Sequence, residues 1–277
     1  MKIRLYKPRN ALLARYIECI YLLTQTSEDN SAKYLTFPTI FTIVSISEKS
    51  RAVVKENDIT VEHEPDGSVE TNLVGNFNQP VLVQYRGAIN EITIYFKPLG
   101  LNAFLDNDLV SYGVGPFDDF NPFEDYKGRM AGILSLDSDE EKLHSLELYW
   151  LSKLRGFEHP VLETIINRMM DDDEQSLSMS ELSKISGVSR STISKLFKRH
   201  LCKTPSQFRK IIRFRNVLTE YLSVNPETRL TSITYNLNYF DQSHMIKDFK
   251  ALTNFTPRKF FSKITKLEDG QIIWLFI

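Results

Sequence analysis

A duplicated unit in the last third of the chain constrains its fold most. Lys195-x-Phe197-Lys198 followed by Thr204-Pro205-Ser206-Gln207-Phe208 returns 52 residues later as Lys247-x-Phe249-Lys250 followed by Thr256-Pro257-Arg258-Lys259-Phe260. Upstream the match loosens, with Leu182-x-x-Ile185-x-Gly187 set against Ile233-x-x-x-Leu237-Asn238. Matching positions in fixed register point to one supersecondary unit used twice.

Each unit reads as two helices joined by a tight turn. In the first, Ser178-x-x-Glu181 is a capping box, Leu182 and Ile185 face inward, and Gly187 supplies the positive φ of the turn, with Val188 packed beneath it. Ser189 caps a second helix whose inner face is Ile193, Leu196 and Phe197. Its opposite face carries Arg190, Ser191, Ser194, Lys195, Lys198 and Arg199. Short side chains let such a helix approach the DNA major groove, and the cations reach phosphates or guanine edges. A solvated Lys-rich helix surface is the plainer alternative, against which the turn and the duplication weigh.

The second unit runs from Arg229 to Lys250. Leu230, Ile233 and Leu237 line its first helix, Asn238 stands at the turn, and Asp241 or Gln242 begins the second helix. Gln242, Ser243, His244, Lys247 and Lys250 are its candidate DNA contacts, since Gln can bond adenine bidentately and Lys can reach guanine or phosphate. Between the units, Pro205 opens a helix with Phe208, Ile211, Ile212, Leu218 and Tyr221 on its apolar stripe. At about 18 residues it would be roughly 27 Å long. It could hold two recognition helices about one DNA turn apart, ~34 Å.

Charge agrees once it is counted by position. The net charge of the 277 residues is -1. The first 175 residues carry 17 Lys+Arg and 28 Asp+Glu, or -11, whereas residues 176 to 277 carry 17 and 7, or +10. A basic module joined to an acidic one has a polyanion as its first candidate partner. The acidic run Asp171-Asp172-Asp173-Glu174 belongs to the basic module and is expected to face away from the phosphates.

The acidic part reads differently. Leu13, Tyr16, Ile17 and Ile20 recur at helical spacing, so Pro8 to Ile20 is expected to form a short amphipathic helix. Strand text follows at Thr39 to Ile46, Ala52 to Val54, Val81 to Tyr85 and Ile89 to Phe96, punctuated by Asn, Asp, Gly and Pro. This predicts an antiparallel barrel or sandwich. Leu99 to Leu105 reads as a short helix, residues 106 to 128 as an irregular segment, and Ser138-x-x-Glu141 caps a helix bearing Leu143, Leu146, Trp150, Leu151 and Leu154. That stripe could pack on its own β-domain or on the same helix of a second subunit. The apolar end, Ile272 to Ile277, is too short to span a bilayer and is expected to dock on the N-terminal domain or on a second subunit.

Nothing recommends catalysis. Glu62-His63-Glu64 is the only dense cluster of metal-ligand types in the acidic part. On one strand His63 points away from the two carboxylates, so a solvated strand edge is expected. Cys19 has no neighbouring Lys, His or Cys to activate it and reads as a small buried residue. No cofactor and no metal is expected. With no apolar run near ~18 residues and no signal-peptide pattern, a cytoplasmic protein without a membrane partner is expected.

These motifs resemble the AraC/XylS family of bacterial transcription regulators, whose DNA-binding domain joins two helix-turn-helix units through a long helix. The resemblance covers roughly Glu158 to Ile264. It rests on Leu182-Ser183-x-x-Ser186-Gly187-Val188-Ser189-Arg190-Ser191-x-Ile193-Ser194-x-Leu196-Phe197-Lys198, on Thr204-Pro205-x-x-Phe208, and on Tyr239-Phe240-Asp241-Gln242-Ser243-His244 with Phe249-Lys250 and Thr256-Pro257-x-x-Phe260. It implies DNA contacts by Ser191, Ser194 and Lys195 in the first unit and by Gln242, Ser243 and Lys247 in the second. It also implies an N-terminal domain that binds an effector or mediates dimerisation. Members usually have Gly where Cys202, Asn238 and Asn254 stand, so a distorted turn is expected before Pro205. Tyr16-Ile17-Glu18 and Phe96-Lys97-Pro98-Leu99-Gly100 are similar to one little-characterised subgroup.

The expected fold class is α+β in two domains. Residues 1–156 form a β-barrel or sandwich with flanking helices for regulation, effector binding or dimerisation. Residues 157–265 form an all-α double helix-turn-helix domain, and 266–277 an apolar tail. The expected function is a sequence-specific transcription regulator of the AraC type, activator or repressor, controlled by a small-molecule effector or by dimerisation through the N-terminal domain. Its expected partners are double-stranded DNA, a small-molecule effector, RNA polymerase and a second copy in a homodimer. Two other readings stay open: an enzyme acting on DNA or a small molecule that uses the helix-turn-helix pair as an address, and a dimeric adaptor without effector.

Overall fold

The structure, a computed structural model, describes residues 1–26, 31–171, 177–223, 242–263, 265–266 and 273–276. Among the described residues the N-terminal half contains ten strands: β1 Lys2–Tyr6, β2 Ile17–Gln25, β3 Ser31–Thr36, β4 Thr42–Glu48, β5 Ser50–Lys55, β6 Asp58–His63, β7 Glu70–Val74, β8 Val81–Arg86, β9 Ile89–Phe96 and β10 Phe117–Asp119. They form two sheets. One runs β1-β2-β9-β4-β7-β10. The other is β3-β8-β6-β5, extended beyond β3 by two C-terminal strands, β12 Ile273–Phe276 and then β11 Thr265–Lys266. Every pairing is antiparallel except β6 with β8, which is parallel. The sheets stack as a sandwich rather than closing into a barrel.

The first sheet is buried on both faces, and strand parity sorts its side chains. Cys19, Tyr21 and Leu23 of β2 and Tyr95 of β9 face the second sheet, with Tyr34, Ile59, Val61, Val83 and Tyr85. Ile20, Leu22, Ile92, Ile94 and Phe96 face the other way, into a core with the helices α1 Tyr126–Leu134 and α2 Asp139–Ser152. The Ser138 capping box starts α2 as expected. Its stripe packs on its own β-domain: Leu143, Leu146 and Trp150 are buried in this core and Leu151 and Leu154 pack against it. Trp150 meets Phe96 and Phe104 edge to face at 5.0 and 5.2 Å.

The expected helix from Pro8 to Ile20 is not formed. Leu13–Arg15 makes one 3-10 turn and the chain then enters β2, with a register shift between Ile17 and Cys19. The helical spacing of Leu13, Tyr16, Ile17 and Ile20 is met by a turn followed by a doubly buried strand. Between Leu99 and Leu105 only Leu101–Ala103 is 3-10, and the segment 106–128 contains a 3-10 turn, β10 and the start of α1. Gly100 is fixed by crowding: a Cβ there would stand 2.2 Å from the Tyr16 carbonyl, and that carbonyl accepts from Lys97 N at 2.8 Å. β6 lies inside its sheet, so Glu62-His63-Glu64 closes an inner strand rather than an edge, and Glu62 pairs with Arg86 at 2.9 Å.

The C-terminal half is helical: α3 Pro160–Met170, α4 Met179–Ser186, α5 Arg190–Leu201, α6 Pro205–Ser223, α7 Gln242–Thr253 and α8 Pro257–Phe261. Asp172 to Glu174 and the first helix of the second unit, including Asn238, lie outside the described residues. β12 returns to the sandwich, pairing Leu275 with Leu35 and Phe276 with Tyr34. Leu275 is buried beside Phe37, Phe249 and Phe260, so the apolar end docks on the N-terminal sheet of its own chain. No helix among the described residues is long and apolar enough to cross a membrane.

Candidate nucleic-acid interface

Local chemistry builds the first unit. Glu181 N bonds Ser178 Oγ at 3.3 Å and Ser178 N bonds the Glu181 carboxylate at 2.7 Å. Hydrogen bonds from Ser178 hold that carboxyl below its usual range. α4 ends at Gly187 in the left-handed conformation, φ 70°. Ser183 Oγ closes the turn on the Val188 carbonyl at 2.6 Å, and Ser189 Oγ caps α5 by accepting from Thr192 N at 3.1 Å. Leu182, Ile193 and Phe197 are fully buried with Leu162 and Ile165 of α3. Ile185, expected inside, is 44% exposed because α4 turns that flank outward.

The opposite face of α5 is open. Arg190, Ser191, Ser194, Lys195 and Lys198 are exposed, with Ser194 Oγ bonded back to the Arg190 carbonyl at 3.0 Å. Arg199 is exposed too, but it forms an ion pair with Asp108 of the N-terminal half. On α7, Ser243, Lys247 and Lys250 are exposed, while Met245 and Phe249 are buried. The side chains of Gln242 and His244 lie outside the described residues.

α6 carries both units. Its 19 residues correspond to about 28 Å. Phe208 packs on Phe197 of α5 at 5.6 Å, and Phe214 on Phe249 of α7 at 5.1 Å. Asp248 of α7 is 5% exposed and faces Lys210 and Arg213 of α6, at 3.0 and 3.7 Å. This buried carboxylate pins α7 to α6. It was missed in the sequence because a lone Asp on a basic helix reads as surface. Cys202 takes the left-handed conformation its glycine counterparts would take, φ 53°, and Asn254 does the same at φ 62°. The turn before Pro205 therefore keeps its shape.

The N-terminal half grips this assembly at several points. Asn102 Nδ2 donates to the His200 carbonyl at 3.0 Å, and His200 Nδ1 lies 3.6 Å from Asp108. Burial lowers the His200 pKa, opposed by Asp108. Lys203 is buried with its ammonium on the Gly75 carbonyl, and burial brings its pKa down to about 8. Arg215 of α6 donates to the carbonyls of Pro38 and Phe37 at 3.3 and 3.4 Å.

Residues 182–263 match the family described as Helix-turn-helix domain. Over 83 residues the chain is 28% identical to the HTH-type transcriptional regulator YdeC of Bacillus subtilis, a match covering 30% of this chain and 28% of that relative's length. Among solved structures, a transcriptional regulator with an AraC-type DNA-binding domain from Chromobacterium violaceum is 24% identical, covering 36% of this chain and 88% of that one, with a TM-score of 0.32. ToxT from Vibrio cholerae is 12% identical, covering 86% of this chain and 97% of that one, with a TM-score of 0.45.

Proposed function

We propose that the chain, whose residues 182–263 match a helix-turn-helix domain family, is a sequence-specific transcription regulator of the AraC type whose N-terminal sandwich controls DNA binding in response to a small molecule. The observation that carries the first part is the α5 face: Ser191, Ser194 and Lys195 stand exposed on a helix fixed from behind by Ile193 and Phe197. Short side chains at its centre allow close approach to base edges, and Arg190 and Lys198 flank them for phosphates. Ser243, Lys247 and Lys250 give α7 the same role one unit on, with Gln242 and His244 assigned there by sequence. Arg199 is shared between DNA and Asp108.

Effector control is supported by two features. A cavity of about 50 Å³ lies between the sheets. The end of α5 is bonded to the sandwich through Asn102 and Asp108, so a change in the sandwich has a route to the reading head. We assign residues 1–156 to regulation, 157–265 to DNA and 266–277 to a tail whose described strand, β12, pairs with β3 of the sandwich. Catalysis has no part in this reading; Cys19, its sequence candidate, is fully buried on β2.

Selection of bound duplexes from a random DNA pool by the full chain tests the proposal. Enrichment of one motif with two half-sites about 10 bp apart is expected. A pool that stays unenriched would overturn it.

A further inference from the structure

Glu91 is an acid in an unusual place. Strand parity on β9 sends Glu91, Thr93 and Tyr95 into the sandwich interior, where Glu91 is 2% exposed. Its carboxyl accepts from the hydroxyls of Thr93 at 2.7 Å, Tyr85 at 2.8 Å and Tyr21 at 3.1 Å, and from Ser45. These groups line the cavity between the sheets, together with Tyr34 and Tyr95. Among the described residues the lining includes no Lys, Arg or His. Arg215, which interacts with Tyr95, donates to the carbonyls of Pro38 and Phe37. A buried carboxyl with hydroxyl donors on both oxygens but no cation in its cavity has a costly ionised form, which a positive charge entering the cavity would stabilise.

We infer that this cavity is a binding site for a small organic cation of the alkylammonium class, with Glu91 as its counter-charge and the tyrosine rings as its walls. This deepens the effector reading above and rests on it. Three ligand classes compete, and the lining decides among them. An anion would place like charge beside a carboxyl that burial already penalises. A neutral apolar molecule would leave the carboxyl and four hydroxyls without new partners. An ammonium supplies the positive charge that the cavity lining lacks, and aromatic faces attract it further. The space of about 50 Å³ sets the size at a few heavy atoms. The wall also reaches the DNA-binding half: Tyr34 touches Phe276 of β12 at 5.8 Å, and its neighbour Leu275 packs with Phe249 of α7.

Melting of the full chain, without DNA, tests the assignment. Ethylammonium and trimethylammonium chlorides are titrated at ionic strength held with sodium chloride, against neutral tert-butanol and against propionate. The cations should raise the melting temperature saturably while the other two do not. Glu91→Gln keeps the shape and can still bond the hydroxyls, and should weaken cation binding about tenfold or more. No shift with either cation, an equal shift with tert-butanol, or unchanged binding in Glu91→Gln overturns the inference. If Glu91→Gln does not fold, the comparison of trimethylammonium with tert-butanol on the wild type decides alone. Stabilisation by propionate or tert-butanol instead sinks the cation assignment and leaves effector control standing. Failure of the DNA selection leaves this assay unaffected.

Discussion

The side-chain amide of Asn102 donates a 3.0 Å hydrogen bond to the carbonyl of His200, in the last turn of α5. The two residues are 98 apart in sequence, and both are buried. The carbonyl belongs to a helix end with no intrahelical donor left for it, so the sandwich supplies the cap. One end of the proposed reading helix is thereby held by the N-terminal half. Asn102→Ala should cost about 1–2 kcal/mol by leaving that carbonyl unpaired, and urea unfolding would read it. A loss under a few tenths of a kcal/mol would mean that the contact holds nothing.

Asp108 forms an ion pair with Arg199, one of the proposed DNA contacts. The pair is partly exposed, and its own contribution to stability is small. Asp108→Ala should free a cation and remove a nearby negative charge, raising DNA affinity about two- to fourfold at low salt and less at high salt. Fluorescence anisotropy at several salt concentrations checks both directions. Weaker binding than wild type would show that the pair positions Arg199 rather than sequestering it.

Lys203 makes stability depend on pH in a definite direction. Its pKa in the fold, about 8, lies below its usual value of 10.5, so between these values the unfolded chain holds more protons. Stability contributed by this site therefore rises as pH increases from about 8 to 10.5, by up to ~3 kcal/mol, and below 8 the buried charge weighs fully against the fold. Lys203→Met should gain on the wild type at pH 7 and lose that relative gain by pH 10. Parallel melting curves across this range would contradict the burial argument. Glu91 has the opposite sign: its pKa is raised by burial, so its favourable share is complete at low pH and is lost as pH rises through the raised value.

Asp248 holds α7 on α6 by facing Lys210 and Arg213 from a site 5% exposed. Asp248→Asn should destabilise the chain by about 1–3 kcal/mol by removing the negative charge that faces two partly buried cations. DNA binding should fall more than stability, because α7 loses its fixed orientation. Equal affinity in the folded variant would show that α7 does not need this anchor.

The helix-turn-helix region was legible because its signals are local. In its first unit the capping box at Ser178, Gly187 at positive φ and the Ser189 cap each act within a few residues. The stretch from Pro8 to Ile20 misled for a physical reason. Ile20 and Leu22 face the helices while Cys19 and Tyr21 face the second sheet, so the alternation that marks a strand is erased when both faces are buried. Glu91 and Asn102 carried no signal at all, since the tyrosines that bond Glu91 come from other strands and the partner of Asn102 from another half of the chain.

The most direct test of the whole reading is a salt titration of binding to the selected DNA site by the wild type, Lys195→Ala and Lys247→Ala. Each substitution should weaken binding and lower the slope of log affinity against log salt by about 1, for one lost phosphate contact. The melting temperature should stay unchanged, because both side chains are exposed. Affinity and slope identical to wild type in both variants would contradict the assignment of α5 and α7 as the DNA-reading helices.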